Sequence, residues 1–241
     1  MFIRLTLLLA LALGGCALPG LPKDGGGYKT VGLIVPAFQT LRATNIGFVG
    51  GGGEADFDGA SIDLGNRLRS GIKTLLAPRY QVADLPDVPV PHNYWSAMTV
   101  ADYGLKAVEA AVAASPVRAD LYVVVQEIER NDQFTGALIK LSGCGVLHVD
   151  TPIASKPPFA YCSLSIVLVD GTTMKPIGSQ ILLADSGSGL APDSMPHVAM
   201  EGLVWQGVAL PPAQIAAASK ALDEVVASSL PYSLRKLGLA P

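Results

Sequence analysis

Apolar residues recur along the chain with two spacings. Lys29–Pro36 (KTVGLIVP) is β-branched and apolar and ends on proline, which predicts a buried strand. In 61–77, Leu64, Leu68, Ile72 and Leu75 share one face of a helix, Asp63 sits in its first turn, and Pro78 stops it. Tyr80–Leu85 predicts a short strand, and Pro86, Pro89 and Pro91 a loop. A second helix begins at Thr99, with Asp102 as a capping-box variant and a stripe of Ala101, Leu105, Val108 and Val112; Ser115-Pro116 ends it. Leu121–Ile128 is an almost continuous apolar strand. Leu138–Val149 and Phe159–Val169 alternate, and Ile177–Ala184 makes a further strand joined through Asp170-Gly171. Pro211-Pro212 precedes a helix over about 213–230, with Ile215, Leu222, Val225 and Ser229 on one face and Pro231 closing it. The order β-α-β-α-β-β-β-β-α predicts an α+β (or α/β) layered domain with a mixed sheet.

Two segments fall outside this pattern. Residues 37–59, with Gly50-Gly51-Gly52-Gly53, read as a long glycine-rich loop. Pro196–Leu210 (PHVAMEGLVWQGVAL) carries Val198, Met200, Leu203, Val204 and Trp205 with little charge. At helical spacing it is a packed cover over the sheet. The sharper reading is an exposed partner surface of Val198, Met200, Leu203 and Trp205, with Trp205 as anchor.

The front of the chain has a separate character. Arg4 is followed by Leu5–Leu13, apolar except for Thr6, then by Gly14-Gly15-Cys16. This run is too short to span a bilayer, which takes about 20 residues, and reads as an export signal. Leu13-Gly14-Gly15-Cys16 resembles the lipobox of bacterial lipoproteins. That resemblance implies cleavage after residue 15, acylation of Cys16 and a 16–28 flexible tether before a single periplasmic domain at 29–241. Ala17 after the cysteine implies the outer membrane, by the sorting pattern of enteric lipoproteins. No later segment reads as a transmembrane helix.

Composition narrows the partners. The 241 residues carry 17 Lys+Arg against 20 Asp+Glu, a net −3, and half the residues are hydrophobic. Disorder is excluded, because so apolar a chain can bury enough surface to offset its ordering entropy. Nucleic-acid binding is disfavoured for want of a basic excess.

KTVGLIVPAF, IDLGNRLRSGIKTLLAPRYQVADLP and LSIVLVDGTTMKPIGSQILLA together resemble the opening strand, the first helix with second strand, and the late hairpin of one group of envelope proteins. The group comprises periplasmic lipoprotein domains related to the curli-secretion subunit, the amino-terminal domain of the Tol translocation protein, and the outer-membrane activators of peptidoglycan synthases. The resemblance covers roughly 29–230 in element order. It implies a non-enzymatic adaptor for other envelope proteins and brings no catalytic residue with it. The chain lacks the extra amphipathic hairpins of the curli pore.

Candidate chemistry is sparse. No Lys-Ser or Lys-Thr follows the glycine run, so it is no phosphate loop. His92, His148 and His197 share no ligand spacing with each other or with a cysteine, so neither metal nor cofactor is expected. Ser186-Gly187-Ser188-Gly189 does not match a nucleophile elbow. Glu127, Glu129, Asp56 and Asp58 are acids that would need to face one cleft to hydrolyse a sugar. Beyond Cys16, Cys144 and Cys162 remain, an even number in an exported chain. A hairpin centred near Ile153 sets them opposite each other. Cys162 shares a face with Leu164, Ile166 and Leu168, however, and Cys144 with Lys140, Ser142 and His148. Either a bulge at Gly143 or Gly145 resets the face, or the two cysteines are not bridged.

The sequence thus predicts a lipid-anchored lipoprotein on the periplasmic face of the outer membrane. Its expected partners are the bilayer, through acyl chains on Cys16, an envelope protein, and a second copy as an open alternative; nucleic acid is not among them. A secretion-pore subunit that uses the 37–60 loop and an envelope hydrolase are the alternatives.

Overall fold

The computed structural model describes residues 20–22, 25–47, 53–88, 100–132, 139–150, 155–184, 194–203, 205 and 207–240. The strands are β1 (Thr30–Ile34), β2 (Thr40–Gly47), β3 (Gly53–Asp58), β4 (Gln81–Asp84), β5 (Leu121–Glu127), β6 (Glu129–Asn131), β7 (Lys140–Asp150), β8 (Ser155–Asp170), β9 (Lys175–Ile181) and β10 (His197–Ala199). The helices are α1 (Leu64–Leu76), α2 (Val100–Ala114) and α3 (Ile215–Lys236). The result is a mixed α+β layered domain.

The strands form one mixed sheet in the order β3-β2-β7-β8-β5-β1-β4, with β9 and β10 on the other edge of β8 and β6 beside β7. β1 pairs in parallel with β4 and β5, because α1 and α2 carry the chain back across the sheet between them. β8 is antiparallel to β5 along Glu127↔Leu164 to Leu121↔Asp170 and to β7 along Gly143↔Ser163 to Asp150↔Ser155. It therefore joins the two halves of the sheet.

Alternation on β5 and β8 divides the core. Leu121, Val123, Val125, Cys162, Leu164, Ile166 and Leu168 face α1 and α3. Tyr122, Val124, Val167 and Val169 face α2 through Ala107, Val108 and Ala111. The close α2 contact needs a glycine: a Cβ on Gly104 would lie 2.6 Å from Val167. At the far end, Leu141, Leu147, Val149, Phe159, Tyr161 and Met195 form a third cluster.

Four sequence expectations change. The 37–59 loop contains the β2–β3 hairpin, whose register runs Thr40↔Asp58 to Asn45↔Gly53; β2 is fixed on its other edge by parallel pairing with β7. Pro231 does not close the last helix but lies inside α3, which continues to Lys236. An interior proline costs about 3 kcal/mol. The stripe Leu230, Leu234 and Leu237, all buried, offsets this at roughly 1.5–3 kcal/mol per side chain. Residues 196–210 contribute the short strand β10 rather than a helix. Parts of the segment read as a tether are docked on the domain: Leu21 N–H donates to Leu237 O at 2.8 Å, and the Tyr28 hydroxyl donates to Asp170 at 2.7 Å.

Candidate functional site

Cys144 and Cys162 form a disulfide, with Cα atoms 4.1 Å apart. They sit directly opposite each other on β7 and β8. No face is reset to allow this. Even-numbered Cys144 and Val146 face α3, and odd-numbered Leu141 and Leu147 face the third cluster. The polar neighbours misled the reading of that face. Lys140 pairs with Glu129 at 2.6 Å at one end of β7, and at the other His148 is covered by Trp205. Gly143 does take a left-handed φ of +60°, and a Cβ there would lie 2.7 Å from the Glu127 carboxylate, so the position requires glycine on both counts.

That carboxylate belongs to a small polar cleft where β2 and β7 begin to pair. Thr40, Leu41, Arg42, Asp56, Glu127, Ser142, Gly143 and Cys144 line about 120 Å³. Desolvation raises the Glu127 carboxyl above its ordinary value, more than the Arg42 guanidinium draws it down. The structure thus brings Asp56 and Glu127 of the candidate acids together. The space is well below the roughly 300 Å³ at which ligand pockets begin, so the cleft suits water or a small ion better than a sugar.

The 196–210 segment divides into two parts. Trp205 is 3% exposed and Met200 5%, so neither is a surface anchor, and the exposed-anchor reading of Trp205 is corrected. The indole stacks on His148 at 5.9 Å between centroids and donates its N–H to Ala209 O at 3.0 Å. Asn45, opposite His148 in the ladder, accepts through Oδ1 from His148 Nδ1 across 3.2 Å and donates through Nδ2 to Gly207 O. Burial holds the His148 imidazole below its ordinary pKa. This part of the segment is a cover pinned to the ends of β2 and β7.

Val198 and Leu203 are partly buried and stay at the surface. With Met200 they line a cleft of about 510 Å³ whose other wall is the start of α3: Ala213, Gln214, Ala217 and Ala221, with Lys220, Glu224 and Glu201 at its rim. Three of the four predicted surface residues therefore meet in one place, and Trp205 lies in the core beneath. The alanine wall carried no signal in the sequence, since small residues on a helix read equally well as packing. A second groove of about 510 Å³ runs between α1 and α3, with Gly71, Leu75, Val226 and Leu230 as its floor and the Arg67–Asp223 ion pair at one end.

Cys16, His92, Ser186–Gly189 and Val204 lie outside the described residues. Among the described residues no three His, Cys, Asp or Glu side chains are grouped to hold a metal, and no helix is long and apolar enough to cross a membrane. One feature was missed altogether: Ser163, Ser165 and Gln126 form a polar seam on the α2 side of the sheet. Gln126 lies opposite Ser165 and donates through Nε2 to Val100 O at 2.9 Å, where α2 begins. Its traces in the sequence were Gln126 in an otherwise apolar run and the two serines between Tyr161 and Val167.

No protein-family profile and no curated protein matches this chain. Solved structures similar to it include these two. Protein XCC0632 of Xanthomonas campestris (DUF330) shares 9% identity at a TM-score of 0.41, over 93% of this chain and 85% of that one. The hypothetical protein CT253 of Chlamydia trachomatis shares 9% identity at a TM-score of 0.26, over 66% of this chain and 77% of that one.

Proposed function

We propose that this chain is a periplasmic lipoprotein, anchored to the outer membrane through Cys16, that works as a non-catalytic binding or assembly factor for other envelope proteins. The buried Cys144–Cys162 disulfide is the observation that supports an exported location. Structural disulfides persist in oxidising compartments and are rare where thiols are kept reduced. It agrees with the lipobox-like residues that end at Cys16. The cleft between Val198–Leu203 and α3 is the docking surface in this reading. Its apolar floor and charged rim suit a protein side chain or short segment. Anchoring raises its effective concentration toward other membrane-bound partners.

The test has two arms. Metabolic labelling with an alkyne fatty acid should mark the wild-type chain and not Cys16→Ser; labelling of neither chain removes the anchor. A photo-crosslinker at Leu203 in intact cells should capture a discrete protein, and Ala217→Arg, which fills the cleft, should abolish capture. Capture unchanged by Ala217→Arg would exclude the cleft as the docking surface.

A further inference from the structure

The chain's N-terminal exit lies at one end of the sheet, and that end carries a concentration of positive charge. Residues 20–22 and 25–29 lie against it. Leu21 is bonded to Leu237 at the close of α3, Gly25 packs on the Tyr80 hydroxyl, and the Tyr28 hydroxyl donates to Asp170 at 2.7 Å. Lys29, Arg79, Arg118, Lys175, Arg235 and Lys236 are all exposed here or beside the Leu237 bond. Lys29 opens β1, Arg79 precedes β4, Arg118 precedes β5, and Lys175 opens β9 opposite Asp170.

Among the described residues this end holds two acids, Asp120 and Asp170, against those six bases, and hydrogen bonds hold each carboxylate in place. Asp120 accepts the Lys29 and Thr30 backbone N–H groups at 3.0 Å each. Asp170 accepts from Tyr28 and from the Thr172 and Thr173 amides. At the opposite ends of β4 and β5 and on the β2–β3 hairpin acids outnumber bases: Asp84, Asp87, Glu127, Glu54, Asp56 and Asp58 stand against Arg42, Arg69 and Lys73, which pair with Glu54 and Asp84. A chain of net −3 is thus polarised, its basic end coinciding with its N-terminal exit.

We propose that this basic end rests on an anionic phospholipid surface. The proposal rests on Cys16 as the anchor point and names the face the anchor presents. Only Ala17–Pro19 separate Cys16 from the docked Gly20. Four Cα steps span at most ~14 Å, so an acylated Cys16 holds this end within a few screening lengths of the headgroups. Basic residues at that range are drawn to anionic lipid. The geometry also directs the acidic hairpin and the Val198–Leu203 cleft away from the exit, toward partners.

The experiment is lysine footprinting of the full lipoprotein with an impermeant amine reagent. It compares detergent, phosphatidylcholine vesicles, and phosphatidylcholine vesicles containing phosphatidylglycerol. Labelling of Lys29, Lys175 and Lys236 should fall about threefold or more in the anionic vesicles relative to detergent, while Lys106, Lys140 and Lys220 stay unchanged. Arg118→Glu/Lys175→Glu should restore labelling at Lys29 and Lys236. Equal protection in both vesicle types, or none, overturns the proposal. The mass of the N-terminal peptide reports acylation separately. If Cys16 is bare, the anchor reading fails, and co-sedimentation of that chain with anionic but not zwitterionic vesicles still decides the surface.

Discussion

Cys144 and Cys162 are cross-strand partners whose Cα atoms stand 4.1 Å apart, on the face of the sheet packed against α3. The Cys162 amide points the other way, to Pro196 O, so the two cysteines form a non-hydrogen-bonded pair, the closer of the two antiparallel spacings. The bridge closes a loop of 18 residues of sequence separation. In the chain-entropy model such a loop stabilises by about 3 kcal/mol. Cys144→Ala/Cys162→Ala should therefore lower the unfolding free energy by about that amount and Tm by roughly 6–12 °C. Denaturant titration of both proteins measures it. A double variant as stable as the wild type would show that the bridge holds nothing the ladder does not already hold.

Trp205→Ala should cost about 3–5 kcal/mol, because it leaves a cavity over His148 and removes the indole donor to Ala209. It should also let water reach His148, raising that imidazole toward its ordinary 6.5. The sign for the wild type follows. With the folded pKa depressed, the unfolded chain takes up the proton first, so stability falls as pH drops below 6.5 and is fully retained above it. NMR titration of His148 in both proteins reads the shift, and His148→Gln should flatten the acid limb of the stability profile. A stable Trp205→Ala protein that loses only partner capture would instead return the indole to the surface.

Glu127 predicts the opposite dependence. Its folded pKa lies above the ordinary 4.5, so the folded state favours the protonated carboxyl. The associated stability is full below 4.5 and declines as pH rises through the folded value. Glu127→Gln should raise Tm at pH 7 and leave it unchanged at pH 4, measured by thermal melts at both. A lower Tm at pH 7 would mean that the ionised form is the one Arg42 holds.

These outcomes also show which features the sequence could carry. Leu64, Leu68 and Ile72 announce α1 because their partners recur within one helix, at a spacing local sequence displays. The β2–β3 hairpin is not legible in this way. Its glycine run looks like a loop, and β2 becomes a strand through pairing with β7, where Arg42 meets Gly145 about a hundred residues away. Pro231 reads as a stop because a local rule weighs one lost hydrogen bond, whereas the fold weighs it against the burial of Leu230 and Leu234. Of the candidate docking cleft, the sequence supplied Val198, Met200 and Leu203, one wall. The other wall is Ala213, Ala217 and Ala221, whose side chains are too small to announce a surface. Trp205 fits the packed-cover reading of its segment and not the exposed-anchor one; low charge marks a core cover and an interface alike.

The docked N-terminus yields a prediction with an internal control. Gly238 has φ +75°, and a Cβ there would lie 2.4 Å from Leu21 O. Gly27 has φ +80° with nothing within 4 Å of that position. Both alanine variants incur the left-handed backbone penalty of about 1 kcal/mol. Only Gly238→Ala also forces apart the backbone that Leu21 and Leu237 share. Gly238→Ala should therefore lose about 1–3 kcal/mol more than Gly27→Ala. Its Leu21 amide should exchange with solvent deuterium like a free peptide, while in Gly27→Ala it stays protected. Equal exchange at Leu21 in the two variants would mean that the segment before β1 is not clamped by the end of α3, and the short reach from Cys16 to the basic end of the sheet would go with it.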